Sequence, residues 1–231
     1  MAGRINSFQS MGAVDGPGLR CVIFLQGCPL RCLYCHNPET WQKDGGQEIT
    51  VDEVVKKVNN FKPYIKNGGV TLSGGEPLLQ WQFVAELFKK LKEEGFHTAL
   101  DTSGIGDING AEEVLKHTDL VICDIKATDS KAFKELCGGN LSQVYDFLAL
   151  TAKLNIPLWI RQVIVPGLND NEQAVLMLRQ KAQLYKNLEK IELLPFSKLC
   201  KSKYENLGID FKMNDVPDCH KNILEKLQKL I

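Results

Sequence analysis

Residues 21–37, which read CVIFLQGCPLRCLYCHN, join an apolar run to a loop that carries three cysteines. The run is typical of a buried strand, and Gly27 lets the backbone bend sharply where that strand would end. Pro29 stiffens the turn and prevents a helix from starting there. This stretch therefore predicts a strand that is followed directly by a cysteine-bearing loop.

The spacing of Cys28, Cys32 and Cys35 is typical of a metal-binding loop. Iron-sulfur clusters normally take four cysteine ligands, so three thiolates would leave one iron of a cubane cluster open to a substrate. The triad could instead hold zinc together with His36, although the adjacent Cys35 and His36 would be strained as two ligands of one tetrahedral ion. A zinc or electron-transfer module thus remains a non-enzymatic alternative.

The composition of the chain argues against several classes of protein. Of its 231 residues 44% are hydrophobic, which is enough for one substantial core, and 28 basic residues balance 28 acidic ones. With no net charge to gather nucleic acid and no run of about 20 apolar residues, we expect neither a nucleic-acid partner nor a membrane span. The first ten residues do not read as a secretory signal, so the expected location is the cytoplasm, where cysteines stay reduced.

Strand-like runs alternate with helical patterns along the whole chain. Predicted strands cover residues 21–25, 69–72, 98–101, 120–125, 158–165 and 190–194, and predicted helices cover 51–61, 81–94, 110–116, 141–154, 171–187 and 221–230. Thr50 or Asp52 would cap the first helix, and Gly95 would stop the second. Six strand-helix units predict an α/β fold with a parallel sheet, which could be open or partly closed into a barrel.

Polar motifs follow the predicted strands. Besides the cysteine loop they are Ser73-Gly74-Gly75-Glu76-Pro77, Asp101-Thr102-Ser103-Gly104, Asp124-Ile125-Lys126 and Pro195-Phe196-Ser197. In parallel barrels the chemistry gathers at the carboxyl ends of the strands, and the paired glycines would let a ligand approach bare backbone. We therefore expect these segments to meet at one site.

The cysteine triad with Tyr34 and with Cys35-His36-Asn37, followed by Gly74-Gly75-Glu76-Pro77, resembles the radical S-adenosylmethionine (radical SAM) superfamily. The resemblance implies a partial (β/α)6 TIM-like barrel with parallel strands. It implies that residues 1–231 form one domain, in which residues 1–19 are a short extension before the barrel. It also implies one [4Fe-4S] cluster on Cys28, Cys32 and Cys35, with S-adenosyl-L-methionine (SAM) chelated at the open iron.

Further site residues follow from this resemblance alone. The residues implied to bind SAM are Tyr34, Cys35, His36, Gly74, Gly75, Glu76, Asp124, Ile125, Lys126 and Ser197. Asp101, Thr102, Ile122 and Asp124 are implied to bind a monovalent cation, Na⁺ or K⁺, beside the SAM carboxylate. Hard oxygen ligands suit such an ion. The chemistry belongs to the cluster and SAM, so no side chain is expected to act as an acid or a base.

Other landmarks resemble the pyruvate formate-lyase activating enzymes. They are Gly3-Arg4-Ile5, Asp15-Gly16-Pro17-Gly18 with Arg20, Trp159-Ile160-Arg161, Val165-Pro166-Gly167 and the segment 190–195. The implied activity is the anaerobic activation of pyruvate formate-lyase in glucose metabolism, by an oxidoreductase that abstracts a hydrogen atom from one glycine Cα of that protein. The implied reductant is a flavodoxin or a ferredoxin, and the implied state is a monomer.

The same resemblance implies how the partner is received. Asp15, Gly16, Pro17, Gly18, Arg20 and Arg161 are expected to contact the glycine-bearing loop. Activation of another glycyl-radical enzyme, or radical chemistry on a small molecule, is the alternative within this superfamily. The chain departs from the family pattern at Ser197, where the related enzymes have a histidine that contacts SAM. A serine is shorter and stays uncharged near neutral pH.

Overall fold

An eight-stranded sheet organises the chain in the computed structural model, which describes all 231 residues. The strands are β1 (Ala2–Gly12), β2 (Arg20–Leu25), β3 (Gln47–Thr50), β4 (Gly69–Gly74), β5 (Thr98–Thr102), β6 (Leu120–Asp124), β7 (Leu158–Ile164) and β8 (Leu188–Pro195). Their spatial order is β3-β1-β2-β4-β5-β6-β7-β8. The last six strands in this order, which begin with β2, pair in parallel. Because β8 does not pair with the other edge, the sheet stays open, which confirms the predicted partial barrel with parallel strands.

Eight α-helices accompany the sheet. They are α1 (Val51–Asn59), α2 (Trp81–Glu93), α3 (Ile108–Leu115), α4 (Ser130–Cys137), α5 (Leu141–Lys153), α6 (Glu172–Ala182), α7 (Lys201–Leu207) and α8 (Lys221–Gln228). All six predicted helices are present, although α6 ends at Ala182 rather than near Asn187. The sequence analysis missed α4 and α7, which are short helices of eight and seven residues with little room for a helical period to repeat.

Residues 2–12 are part of the sheet and do not precede it. Strand β1 pairs antiparallel with β2 on one side and with β3 on the other. Neither strand was predicted, because β1 is largely polar and half-exposed, whereas the parallel strands are buried on both faces and read as continuous apolar runs. The predicted extension before the barrel therefore adds one antiparallel strand to the sheet, and β3, which follows the cysteine loop, adds a second.

Two apolar cores support the loops at the carboxyl ends of the strands. The larger core lies between the sheet and its helices. The smaller one, which we call the C-terminal cluster, consists of Tyr34, Val165, Phe196, Cys200, Tyr204, Phe211 and Met213. It joins the cysteine loop to the last quarter of the chain. No helix in the structure has both the length and the apolar character needed to cross a bilayer.

The start of α1 offers a test of local stability. The Thr50 side chain accepts a hydrogen bond from the Glu53 backbone, and the Glu53 carboxylate accepts one from the Thr50 backbone at 2.8 Å. We expect Thr50→Ala to lower the free energy of unfolding by about 1 kcal/mol, because it leaves an amide at the helix start without a partner. Thr50→Ser keeps the hydroxyl and is the matched control. Equal urea midpoints for the two variants would contradict this assignment.

Candidate active site

A cavity of about 350 Å³ opens at the carboxyl ends of the parallel strands. The loops after β2, β4, β5 and β6 line it, together with side chains of β7 and the last two residues of β8. Of the predicted site residues it gathers Asp15, Cys28, Cys32, Tyr34, Cys35, His36, Gly74, Gly75, Asp101, Thr102, Asp124, Lys126 and Arg161. Segments far apart in the sequence thus meet at one place because parallel strands all end at the same edge.

Backbone hydrogen bonds hold the cysteine loop in place. Gly27 has a φ of +92°, its amide donates to the Thr40 carbonyl at 2.7 Å, and its carbonyl accepts from the Glu76 amide at 2.8 Å. The Cys35 amide donates to the Cys32 carbonyl at 3.1 Å, which closes a turn between two of the cysteines. The loop is therefore tied to the segment after β4 before any ligand is present.

The three thiols are protonated in the metal-free protein. Burial raises the pKa of Cys28 to about 12 and that of Cys35 to about 11. The pKa of Cys32 is also raised well above its usual value, first by a hydrogen bond to the Cys137 sulfur and then by burial. Thiolates are the form that binds metal, so loading this site must release protons.

The three thiols line one cavity but do not form a ready-made site for a single ion. No three His, Cys, Asp or Glu side chains are gathered closely enough to hold one metal ion. Zinc binds thiolates at about 2.3 Å and would require its ligand sulfurs to crowd together. A cubane cluster places each thiolate on a different iron, so the sulfurs can lie farther apart. Three thiols around one cavity therefore favour the cluster over the zinc alternative.

Gly74 and Gly75 present bare backbone to the cavity. Gly74 has a φ of +109°, which residues with a side chain rarely adopt, and a Cβ on Gly75 would collide with the Gly27 carbonyl oxygen. Glycine is therefore required at both positions for two different reasons. Because neither residue has a side chain, a ligand can approach the backbone here, beside the cysteine loop.

The Glu76 side chain does not line the cavity. It is fully buried, and its carboxylate accepts hydrogen bonds from Thr102 Oγ1 at 2.6 Å, Ser103 Oγ at 2.5 Å, the Ser103 amide at 2.8 Å and the Leu78 amide at 3.0 Å. Burial raises the pKa of Glu76, and these hydrogen bonds oppose the rise. Its side chain thus braces the loop after β4 against the loop after β5, and a contact with SAM can come from its backbone only.

Removing this brace should be costly for stability. We expect Glu76→Ala to lower the free energy of unfolding by about 3 kcal/mol, because it leaves two buried hydroxyls and two amides without their acceptor. Glu113→Ala removes a half-exposed carboxylate that pairs with Lys116, and it should change stability by less than about 0.5 kcal/mol. Urea unfolding followed by circular dichroism measures both. A loss of similar size in the two variants would refute the bracing role.

Charged side chains form another part of the cavity wall. Ser73 Oγ donates to Asp101 Oδ2 at 2.7 Å, and the Lys126 ammonium pairs with Asp124 Oδ2. Burial, followed by the neighbouring Asp124 carboxylate, raises the pKa of Asp101 to about 6, although the Arg161 guanidinium opposes this. Burial alone would lower the pKa of Lys126, but Asp124 raises it well above its usual value. This part of the cavity wall thus carries two carboxylates, one ammonium group and one guanidinium group.

Several predicted contacts lie outside the cavity. Ile122 and Ile125 are fully buried in and just after β6, so their side chains cannot reach a ligand there. The Ser197 carbonyl lies 3.0 Å from His36 Nε2, so Ser197 supports the histidine through its backbone. Burial lowers the pKa of His36, which favours the neutral imidazole.

Only the first few residues of the 13–19 loop reach the cavity. Val14 and Asp15 line the cavity, and the Arg161 guanidinium donates to the Val14 carbonyl while its Nε donates to Glu192 Oε2 at 2.5 Å. Burial raises the pKa of Asp15, and the charge of Arg161 partly offsets this. Gly16, Pro17 and Gly18 continue the loop away from the cavity lining.

Arg20 does not fit a direct contact with a partner. It is fully buried, and its guanidinium donates to Thr71 Oγ1 at 2.6 Å, to the Gly68 carbonyl at 2.7 Å and to the Val70 carbonyl at 2.8 Å. Burial lowers its pKa to about 10. Arg20 Nη1 also donates to the Pro17 carbonyl at 3.1 Å, so Arg20 holds the 13–19 loop onto the sheet, and any part it takes in receiving a partner would come through that loop.

Sequence reasoning missed the residues that hold the cysteine loop from the C-terminal side. Tyr204 Oη donates to the Cys35 carbonyl at 3.0 Å, and Lys203 Nζ donates to Asn37 Oδ1 at 2.8 Å and to Glu39 Oε1 at 2.6 Å. Both residues lie on α7, whose sequence carries no motif. It also missed the cavity residues Val14, Phe24, Leu30, Thr40, Val163 and Leu194. Ser73, Ser103 and Pro195, which belong to the strand-end segments that were expected to meet at one site, line the cavity as well.

The residues present fit a cluster with a polar organic ligand. Two buried atoms that border the cavity have no hydrogen-bond partner, Tyr34 Oη and Asp124 Oδ1. Buried polar atoms are nearly always paired, so each points to a missing partner in this space. Three thiols, bare glycine backbone and paired charges around one cavity can bind a cluster together with a ligand that carries amino, carboxylate and hydroxyl groups.

Comparison with known proteins agrees with this geometry. The profile of the radical SAM superfamily matches residues 22–178. A pyruvate formate-lyase-activating enzyme from Clostridium pasteurianum is 48% identical over 99% of this chain and 97% of that protein. One from Staphylococcus aureus (strain USA300) is 44% identical over 94% of this chain and 90% of that protein. The crystal structure of a domain of pyruvate-formate lyase-activating enzyme from Bacteroides vulgatus ATCC 8482 covers 71% of this chain and 92% of that chain. It has a TM-score of 0.58 and 22% identity, which shows a shared fold.

Proposed function

The chain belongs to the radical SAM superfamily and, within it, to the pyruvate formate-lyase-activating enzymes, and from this premise we propose that it generates the glycyl radical of pyruvate formate-lyase. The observation that carries the proposal is the single cavity onto which Cys28, Cys32 and Cys35 open beside the bare backbone of Gly74 and Gly75. A zinc module or an electron carrier would need the thiols but not the bare glycine backbone beside them.

When bound, the reduced [4Fe-4S] cluster supplies one electron that cleaves SAM to methionine and a 5′-deoxyadenosyl radical, which takes a hydrogen atom from one glycine Cα of the partner. The chain contributes position and exclusion of water. Cys28, Cys32 and Cys35 would hold the cluster and leave one iron for SAM. The walls of the cavity limit what a reactive radical can touch, so the geometry carries the selectivity.

The remaining contacts follow from the cavity lining. Tyr34, His36, Asp124 and Lys126 border it and would bind SAM with their side chains, and Gly74 and Gly75 would do so with their backbone. Glu76, Ile125 and Ser197 can take part through backbone atoms. Asp101, Thr102, Ile122 and Asp124 would bind Na⁺ or K⁺, because the two carboxylates are close enough for Asp124 to raise the pKa of Asp101.

The partner's glycine loop would enter beside the 13–19 loop. Asp15 and Arg161 line the cavity there, and Gly16, Pro17 and Gly18 lie next to them in the chain. We also propose that residues 1–231 form one domain, that the protein acts as a cytoplasmic monomer, and that a flavodoxin or a ferredoxin reduces the cluster. Each of these follows from the family and not from a contact in the structure.

The decisive experiment is electron paramagnetic resonance on anaerobic mixtures of the cluster-loaded protein, SAM, a reductant and one glycyl-radical protein at a time. We expect a glycyl doublet with pyruvate formate-lyase, and release of 5′-deoxyadenosine in step with it. A doublet with a different glycyl-radical protein alone would show that this other protein, and not pyruvate formate-lyase, is the partner. Cleavage of SAM without a doublet in any mixture would favour a small-molecule substrate, and a protein that takes up zinc but no iron would refute the proposal.

A further inference from the structure

A fourth cysteine lies against the cysteine loop from outside the cavity. Cys137 is the last residue of α4 and is fully buried. The Arg31 amide donates to the Cys137 carbonyl at 2.9 Å, and the Leu33 amide donates to the Leu136 carbonyl at 2.9 Å. These two backbone bonds flank Cys32 on both sides, so the backbone of Cys32 is tied to the end of α4.

The segment after α4 is also packed tightly against the loop. Gly138 ends the helix with a φ of +75°, and a Cβ on Gly139 would come within 2.6 Å of the Leu30 side chain. Tight packing leaves little freedom for the loop and the helix end to move apart. The contact between Cys32 and Cys137 is therefore set by the fold.

The two cysteines are neighbours in the fold. Both side chains belong to the same buried apolar core, the backbone on each side of Cys32 is bonded to the end of α4, and Cys137 Sγ donates to the Phe133 carbonyl at 2.9 Å. All eight cysteines are free. Cys32 borders the cavity, where a small solute can reach it, whereas Cys137 has no exposed surface.

We propose that Cys32 and Cys137 form a disulfide when the cluster-free chain meets a peroxide. Hydrogen peroxide oxidises the accessible Cys32 thiol to a sulfenic acid and is itself reduced to one water. The Cys137 thiol then attacks that sulfur, the S–O bond breaks, and a second water leaves with the Cys137 proton. A disulfide needs its two Cα atoms within about 7 Å, and the backbone bonds on both sides of Cys32 keep the two residues close.

The consequence is reversible protection of a cluster ligand. A sulfenic acid without a neighbouring thiol is oxidised by a second molecule of hydrogen peroxide to sulfinic acid, with release of one water, and thiols do not reverse this step. A disulfide returns to two thiols with a dithiol reductant. While the bond exists, Cys32 cannot bind iron. The inference uses the proposed role of Cys32 as a ligand, but the disulfide itself does not depend on SAM, on the partner or on radical chemistry.

The test maps disulfides in the full chain. Iron is removed with a chelator, the thiols are reduced without oxygen, one equivalent of hydrogen peroxide is added, and the free thiols are alkylated. Trypsin without reductant places Cys32 in peptide 32–43 and Cys137 in peptide 135–153. We expect these two peptides to be the main cross-linked pair, with fragment masses that assign the bond to Cys32 rather than Cys35, and to separate with dithiothreitol. Bonds confined to the 28–35 loop, with Cys137 alkylated, would overturn the proposal.

Variants test the protective role. After peroxide and then dithiothreitol, we expect Cys137→Ser to take up several-fold less iron than the wild type, because Cys32 is lost to sulfinic acid. Cys21→Ser, which alters a buried cysteine on β2, is the matched control and should recover like the wild type. Full recovery in Cys137→Ser would contradict the protective role. If that variant does not fold, the wild-type map still decides on the bond itself.

The cluster-loaded protein separates this inference from the proposed function. We expect no cross-link there while the iron is retained. A cross-link between Cys32 and Cys137 with full iron content would support the disulfide and show that Cys32 is not a ligand.

Discussion

Replacing Cys32 by alanine is expected to abolish iron-sulfur cluster binding and SAM cleavage. Two thiolates on a short loop cannot hold a cubane against exchange with solvent, and Cys32 is the middle ligand of the three. The fold should survive, since Cys32 borders the cavity and alanine fills part of its place. Iron per chain after anaerobic reconstitution, and 5′-deoxyadenosine formed with dithionite and SAM, measure the two losses.

Cys21→Ala is the matched control for this prediction. Cys21 is as deeply buried as any residue, but it lies near the start of β2 and contacts the Ser10 carbonyl, at the opposite end of the strand from the cavity. The Cys21→Ala variant should keep the wild-type iron content and activity. Retention of SAM cleavage in Cys32→Ala would show that the ligand set is wrong.

The second large effect is expected at Lys126. Its side chain is mostly buried, pairs with Asp124 and lies in the cavity wall. Lys126→Met should lower the free energy of unfolding by about 2 kcal/mol, because it leaves the partly buried Asp124 carboxylate without its ammonium partner and with Oδ1 already unpaired. Binding of SAM to the loaded protein should fall at the same time, as the cavity loses its one ammonium group.

A double variant separates the two consequences. Adding Asp124→Asn to Lys126→Met removes the uncompensated charge and should restore most of the lost stability, while SAM binding stays weak. Lys131→Met, at an exposed lysine of α4, is the control and should change neither quantity. Urea unfolding and equilibrium binding of SAM provide the measurements. A double variant that is no more stable than Lys126→Met would show that Asp124 and Lys126 do not act as a pair.

Short stretches of sequence were enough to single out the cysteines and glycines of this site. The cysteine triad could be singled out because Cys28, Cys32 and Cys35 lie within one loop, and the glycine requirement at Gly74 and Gly75 follows from a strand that ends there. The parallel order could be predicted because strands buried on both faces read as apolar runs. Strands β1 and β3 lacked that signal, since each is half-exposed and polar.

The sequence by itself determined the cysteine loop, the six strand-helix units and the edge of the sheet at which their polar motifs lie. Only the tertiary structure decided that Glu76 turns inward, that Arg20 is a buried brace, that α7 clamps the loop through Tyr204, and that Cys137 lies against Cys32. The reason is physical. Spacing and periodicity report on neighbours along the chain, whereas these side chains are placed by packing and hydrogen bonds between residues that are far apart in the sequence.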